Sequence, residues 1–236
     1  MRARQRHINP ARAGARIALD ARFVTGLNDG DAVSTWSNRT GSSDFTGSGT
    51  ARPAFTASSF SGRPAITFDG TNDTMTATGI TWDADFVLVF VLRLNRSPNY
   101  ATGQIDAVAC KTNYVPTSPR KGFLTQLTNA YITTTQTYAR TEYYSGTTES
   151  SPCVINGVSQ TAAAGNVTVG TALILSASGT GSNTDTETSF TLGREPFLNV
   201  YGQFNFGSMV YLPVSSTPLR RRFEQSAAYS FKIACS

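Results

Sequence analysis

Phe86-Val87-Leu88-Val89-Phe90-Val91-Leu92 is apolar at every position. Successive side chains of a strand point to opposite faces, so a strand with one face in water alternates apolar and polar residues. A run without alternation predicts a central strand covered on both faces. A buried helix would be longer. Upstream, Ala65, Ile66, Thr67 and Phe68 lead into Asp69-Gly70-Thr71-Asn72-Asp73. The Asp-Gly pair there marks a tight turn, after which Met75 is expected to resume the strand that pairs back. Residues 26–62 are dominated by turn formers such as Asn28-Asp29-Gly30 and Thr40-Gly41-Ser42, with Val33, Trp36 and Phe45 as apolar anchors under a long loop. Ile17, Leu19 and Ala21 alternate and predict a first strand ending near Phe23.

Downstream, residues 123–127, 130–135 and 137–144 read as Thr- and Tyr-rich strands. Val154-Ile155-Asn156-Gly157-Val158 predicts a hairpin, because Asn-Gly suits the two positive-φ positions of a type I′ turn. Residues 173–175, 190–192 and 209–212 are further short strands, with a Gly/Ser/Thr/Asn loop at 178–188. One helix is expected. Ser216 or Thr217 caps it, Pro218 suits its first turn, and Leu219, Phe223 and Ala227 fall on one face. Phe231 and Ile233 then read as a return to strand. Many short strands with frequent turn signals indicate an all-β sandwich or barrel.

Apolar residues make up 39% of the 236 and charged residues only 15%, which argues against a long disordered chain. The net charge of +5 is unevenly placed. Arg2, Arg4, Arg6, Arg12, Arg16 and Arg22 lie in the first 22 residues, opposed only by Asp20. The rest of the chain holds fourteen basic and fourteen acidic residues, so a charge argument for nucleic acid applies to the N-terminal segment alone. No aromatic residue precedes Phe23 to stack on bases, which speaks against nucleic acid as a partner. Residues 1–16 read as an extended basic arm and 17–236 as one domain. The longest apolar run is too short to cross a bilayer, so no membrane partner is expected. No apolar stretch follows the basic start, which leads us to expect a chain made and kept in a cytoplasm unless it leaves by lysis or within a particle.

The stretches Leu19-Asp20-Ala21, Val33-Ser34-Thr35-Trp36-Ser37-Asn38-Arg39-Thr40-Gly41, Ala51-Arg52-Pro53 and Gly62-Arg63-Pro64-Ala65-Ile66-Thr67-Phe68-Asp69-Gly70-Thr71-Asn72-Asp73 carry a resemblance. Together with the Ile155-Asn156-Gly157 turn, Phe190-Thr191-Leu192-Gly193-Arg194 and the closing helix, they resemble the laminin-G-like, concanavalin A-like jelly rolls of bacterial surface proteins and bacteriophage structural proteins. The resemblance spans the chain from about residue 16 onward. It implies a two-sheet antiparallel jelly-roll sandwich with one short C-terminal helix. It says little about function, since this fold hosts lectins, glycanases and spacers alike.

Catalytic constellations are sparse. Asp185-Thr186-Glu187 comes nearest to the alternating carboxylates of glycanases on this fold but lacks a third acid. A Ser-His-Asp triad would need His7, the one histidine, inside the arm. Cys110, Cys153 and Cys235 have no metal-ligand spacing. The chain is therefore expected not to be an enzyme and to need no cofactor. Calcium is the one ion with ligands on offer, from Asp69, Asn72 and Asp73, although Asx-turns would use the same oxygens. Tyr138, Arg140, Tyr143 and Tyr144 form the densest aromatic group, with Tyr138 and Arg140 expected on one strand face. They could stack on and hydrogen-bond a glycan, or simply cover the sandwich rim. Asn38-Arg39-Thr40, Asn72-Asp73-Thr74 and Asn166-Val167-Thr168 match the glycosylation acceptor and are treated as chance.

These readings lead us to expect a bacteriophage virion protein, assembled in the host cytoplasm and displayed on capsid or tail. Arg2, Arg4, Arg6, Arg12 and Arg16 would dock its arm onto other virion proteins, or onto further copies in a homo-oligomer. The alternative is a lectin-like adhesion module that contacts a cell-surface glycan and acts outside the cell.

Overall fold

The computed structural model describes residues 8–81, 83, 85–95, 105–111, 121–126, 137–138, 140–143, 154–159, 166–167, 170–179, 188–195 and 200–235. In chain order the strands begin with β1 (Ile17–Asp20), β2 (Thr35–Trp36), β3 (Phe45–Thr46), β4 (Ala54–Phe60), β5 (Arg63–Asp69), β6 (Met75–Ala77) and β7 (Phe86–Leu94). Next come β8 (Ile105–Lys111), β9 (Lys121–Gln126), β10 (Thr137–Tyr138), β11 (Arg140–Tyr143), β12 (Val154–Ile155), β13 (Val158–Ser159) and β14 (Asn166–Val167). The last are β15 (Leu173–Gly179), β16 (Phe190–Leu192), β17 (Arg194–Glu195), β18 (Val200–Tyr201) and β19 (Gln203–Leu212), followed by the helix α1 (Thr217–Phe231).

Two antiparallel sheets stack. One runs β13-β12-β15-β7-β19-β5-β4, with β1 paired to the far half of β19, and the other runs β11-β9-β8-β16-β6-β3-β2. The expected all-β, two-sheet sandwich with a single C-terminal helix is what forms.

Strand β7 sits between β15 and β19, and its composition explains the layering. Phe86, Leu88, Phe90, Leu92 and Leu94 point into the core between the sheets, with Phe68, Phe190, Phe204, Phe206 and Tyr211. Val87, Val89 and Val91 point the other way, into a second core under α1, with Phe60, Phe223 and Phe231. Both faces are covered, which is why the strand never alternates. Each such buried side chain contributes about 1.5–3 kcal/mol.

The helix is bounded as its sequence foretells. The Ser216 hydroxyl accepts from the Leu219 N–H, Pro218 occupies the first turn, and Lys232 closes the end in a left-handed conformation. Phe231 ends the helix instead of returning to a strand. It packs edge-on to Phe60, and the β19 bulge at Gly207 leaves it room. The Asn156-Gly157 hairpin forms with both residues at positive φ.

Three further local expectations change. The turn at residues 69–73 does not close a hairpin. Strand β5 pairs with β4 and β19 in the first sheet, whereas β6 pairs with β3 and β16 in the second. The segment crosses between sheets, since a tight turn fixes a change of direction but not the sheet the next strand joins. The first strand stops at Asp20, whose carboxylate accepts the Arg22 N–H and starts a 3-10 turn over Ala21–Phe23. Strand β4 lies inside the stretch read as loop. It is an edge strand with only Phe55 and Phe60 buried and an irregular register between Thr56 and Phe60, so it lacks the alternation that marks a strand.

Candidate functional site

The most elaborate polar arrangement among the described residues fastens residues 8–18 to the sandwich. The Asn9 carboxamide accepts from the Ala11 N–H, Ala11–Ala13 make a 3-10 turn, and Gly14 reverses the chain at φ +79°. Ile8 and Ala13 rest against the core under α1. The Arg16 N–H donates to the Tyr211 carbonyl at 2.9 Å, extending the β1–β19 pairing by one residue.

Arg16 is held at both ends. Its guanidinium donates to both oxygens of Asp83, at 2.6 and 2.8 Å, across 67 residues of sequence. The Tyr211 hydroxyl donates to Asp83 at 3.0 Å and accepts from the Asp83 N–H at 2.7 Å. Burial pushes the Tyr211 phenol well above its ordinary pKa, while the Asp83 N–H pulls it back. The hydrogen bonds to Asp83 raise Arg16 further, against its own burial. Such a bidentate, charge-assisted pair is geometrically specific as well as attractive.

The loop after β2 clamps the backbone. Asn38 is buried; its carboxamide oxygen accepts from the Ala18 N–H at 2.9 Å, and its nitrogen donates to the Arg16 carbonyl at 2.9 Å. Thr40 and Ser42 hydroxyls donate to that same carbonyl at 3.1 and 2.8 Å. Beside this clasp opens a polar cleft of about 380 Å³ between Gly14, Arg16, Thr40, Ser42, Thr81 and Pro213. The sequence reading missed Asp83 and Asn38 as partners of Arg16. Asn38 stands in the sequence only within the Val33–Gly41 resemblance and a chance acceptor motif, and the pairing with Asp83 leaves no local signal.

The predicted site residues fare differently. Arg12 is exposed, and Arg16 is bound within its own domain, so the described part of the basic segment lies along the sandwich instead of extending from it. Arg2, Arg4, Arg6 and His7 lie outside the described residues. Tyr138 stands on β10, paired with Asn166 of β14, whereas Arg140 and Tyr143 stand on β11 at the edge of the second sheet, opposite Leu124 and Lys121. Tyr138 and Arg140 thus belong to different strands. Tyr144 and the Asp185-Thr186-Glu187 segment fall outside the described residues.

In the crossing loop, the Asp69 carboxylate accepts from the Thr71 and Asn72 N–H groups at 2.7 and 3.3 Å. Asp73 accepts from the Asp69 N–H at 2.8 Å. Burial pushes Asp73 up to about 6. These oxygens are thus engaged by backbone donors, as in Asx-turns.

No protein-family model matches the chain, and no curated protein sequence matches it either. Solved structures do. Trypanosoma rangeli sialidase aligns with 95% of this chain at 11% identity and a TM-score of 0.54. The same enzyme with 2,3-difluorosialic acid as a covalent intermediate scores 0.55 over the same share, and a mutant displaying trans-sialidase activity scores 0.52. The likeness is one of fold. This chain spans 34% of the length of those sialidases. The expectation that the chain is not an enzyme is nevertheless overturned, because the chains that align with nearly all of it are enzymes. The lack of a legible triad or carboxylate set in the sequence does not exclude catalysis on this fold.

Proposed function

We infer that the chain is a structural protein of a bacteriophage virion, a concanavalin A-like jelly roll displayed on the particle and held through its N-terminal segment. The observation that carries this reading is the clasp. Residues 8–18 are tied to the sandwich by the Arg16–Asp83 pair, the Arg16–Tyr211 backbone bond and the Asn38, Thr40 and Ser42 donors. A force applied to residues 1–7 would then pass to the β19 strand and not to a loose linker. Arg2, Arg4 and Arg6 supply the charge that a neighbouring virion protein, or another copy, would meet. The test is particle incorporation. Full-length chain should appear in purified particles, and chain lacking residues 1–7 should be lost from them; equal incorporation of both would overturn the anchoring role.

The sialidase likeness favours a second reading, a glycan-binding module. The aligned enzymes are solved with sugar-acid derivatives, and this chain matches only a part of them. A glycan array probed with the intact chain, run beside a fluorogenic sialoside turnover assay, separates binding from hydrolysis. A blank array would count against it.

A further inference from the structure

The outward side of α1 is a basic face. Arg221, Gln225 and Tyr229 recur at every fourth position and are exposed, with exposed Arg222 beside them and exposed Lys232 just past the end. Glu224 is the one acid of the helix, and it is buried against Arg220. No carboxylate among the described residues pairs with Arg221, Arg222 or Lys232. Four positions on from the two arginines, where an acid would pair with them along the helix, stand Gln225 and Ser226. Tyr229 is 71% exposed, which leaves its ring open to solvent.

The fold brings the other basic stretch of the sequence to the same helix. Ser226 lies one turn from both Arg222 and Tyr229, and it borders the same hollow as Ile8, Pro10, Arg22 and Arg39. Asp20 is paired with Arg22, and Arg39 comes no nearer to it than 4.0 Å. Ile8 follows Arg2, Arg4 and Arg6 in the sequence. The arginine-rich start thus meets the arginine-rich helix from the opposite end of the chain, and Tyr229 supplies the aromatic ring that the start lacks.

We propose that the exposed face of α1 binds a nucleic-acid strand, with phosphates on Arg221, Arg222 and Lys232 and a base on Tyr229. A protein partner would need an apolar centre, and from Arg221 to Lys232 only the Tyr229 ring among the exposed side chains offers one. A lipid surface would need exposed Trp, Phe or Leu to insert, and this face has none. A nucleic-acid strand alternates charges with planar rings. The helix presents the matching order: two guanidinium forks, a ring, then an ammonium group. The proposal does not rest on the virion reading.

The test follows the fluorescence anisotropy of a labelled oligothymidylate titrated with the full chain, beside an abasic strand of equal length, polygalacturonate and polyglutamate. The oligothymidylate should bind, and the other three should bind about ten-fold more weakly, the loss expected when one base no longer stacks. Tyr229→Leu should weaken the oligothymidylate by about the same factor and leave the abasic strand unchanged. Arg221→Gln combined with Arg222→Gln should flatten the slope of log affinity against log salt by about 1.4, the share of two phosphate contacts on a single strand. Arg52→Gln, at an exposed arginine beside Gly47, should leave affinity and slope unchanged. No binding of the oligothymidylate, equal binding of any of the other three polyanions, or an unchanged salt slope in the double arginine variant would overturn the proposal.

Discussion

At Gly193 the crossing between sheets leaves no space for a side chain. A Cβ there would sit 2.4 Å from the Phe68 ring and 2.6 Å from the Asp73 carbonyl, and the backbone is at φ +84°. Phe68 is fully buried and stacked on Phe204, so the ring has nowhere to go. Gly193→Ala should therefore combine a clash with left-handed strain and lower stability by about 2–4 kcal/mol. A thermal melt should show a fall of roughly 5–15 °C. Asp73 adds a titration to the same place. An acid whose native pKa is raised to about 6 holds its proton in the folded state where the unfolded chain has lost it. Its contribution is thus fully present below the ordinary carboxylate range and is lost as pH rises from about 4 through 6. Stability should fall across that window, and Asp73→Asn, which still offers an oxygen to the Asp69 N–H, should flatten the fall in urea titrations at pH 4, 5, 6 and 7.

At the scale of elements, α1 is joined to the first sheet by a polar cluster inside an apolar layer. Arg220 and Glu224 are 7% and 2% exposed and 3.1 Å apart, and the Ser176 hydroxyl of β15 donates to Glu224 and lies 3.4 Å from Arg220. The Arg220 Nε has no partner among the described residues. Removing one charge strands the other, so Glu224→Ala should cost about 3–5 kcal/mol, whereas Arg220→Met with Glu224→Leu should recover most of that loss. Chemical denaturation of Arg220→Met, Glu224→Leu and the double variant measures the coupling. The periodicity of this helix was legible, but the cluster was not. Ser216, Pro218, Leu219, Phe223 and Ala227 are local signals, whereas Ser176 meets Glu224 across 48 positions. Strand β7 and the Asn156-Gly157 turn were legible for the same reason, since a doubly covered strand and a type I′ turn are written in consecutive residues. The 69–73 crossing and the partner of Arg16 depend on which distant strand lies alongside, and no local pattern records that. The tyrosines stand out in the sequence as a dense aromatic group, and density does not say that Tyr138 and Arg140 belong to different strands.

For the whole molecule, the question is where the domain begins. Composition places the boundary after residue 16, because the arginine-rich start has no apolar period. Packing places part of that segment inside the fold: Ala15 is buried, Ile8 and Ala13 rest on the helix-side core, and three side chains converge on the Arg16 carbonyl. Losing residues 8–16 would uncover Asp83 and the Tyr211 hydroxyl, and leave Asn38, Thr40 and Ser42 without their shared acceptor. Of these, Asn38 and Tyr211 are buried, and a buried polar group deprived of a partner costs about 1–3 kcal/mol. Removal of residues 1–16 should therefore lower the melting temperature well below that of a chain lacking only residues 1–7. Arg16→Gln, which loses the charge and the fork but not the backbone bonds, should fall between them. In hydrogen exchange the amides of residues 11–18 should exchange faster in Arg16→Gln while those of β7 stay protected. Identical melting of the two truncations would mean that the sandwich is complete from residue 17, and that the clasp holds the segment without stabilising the body.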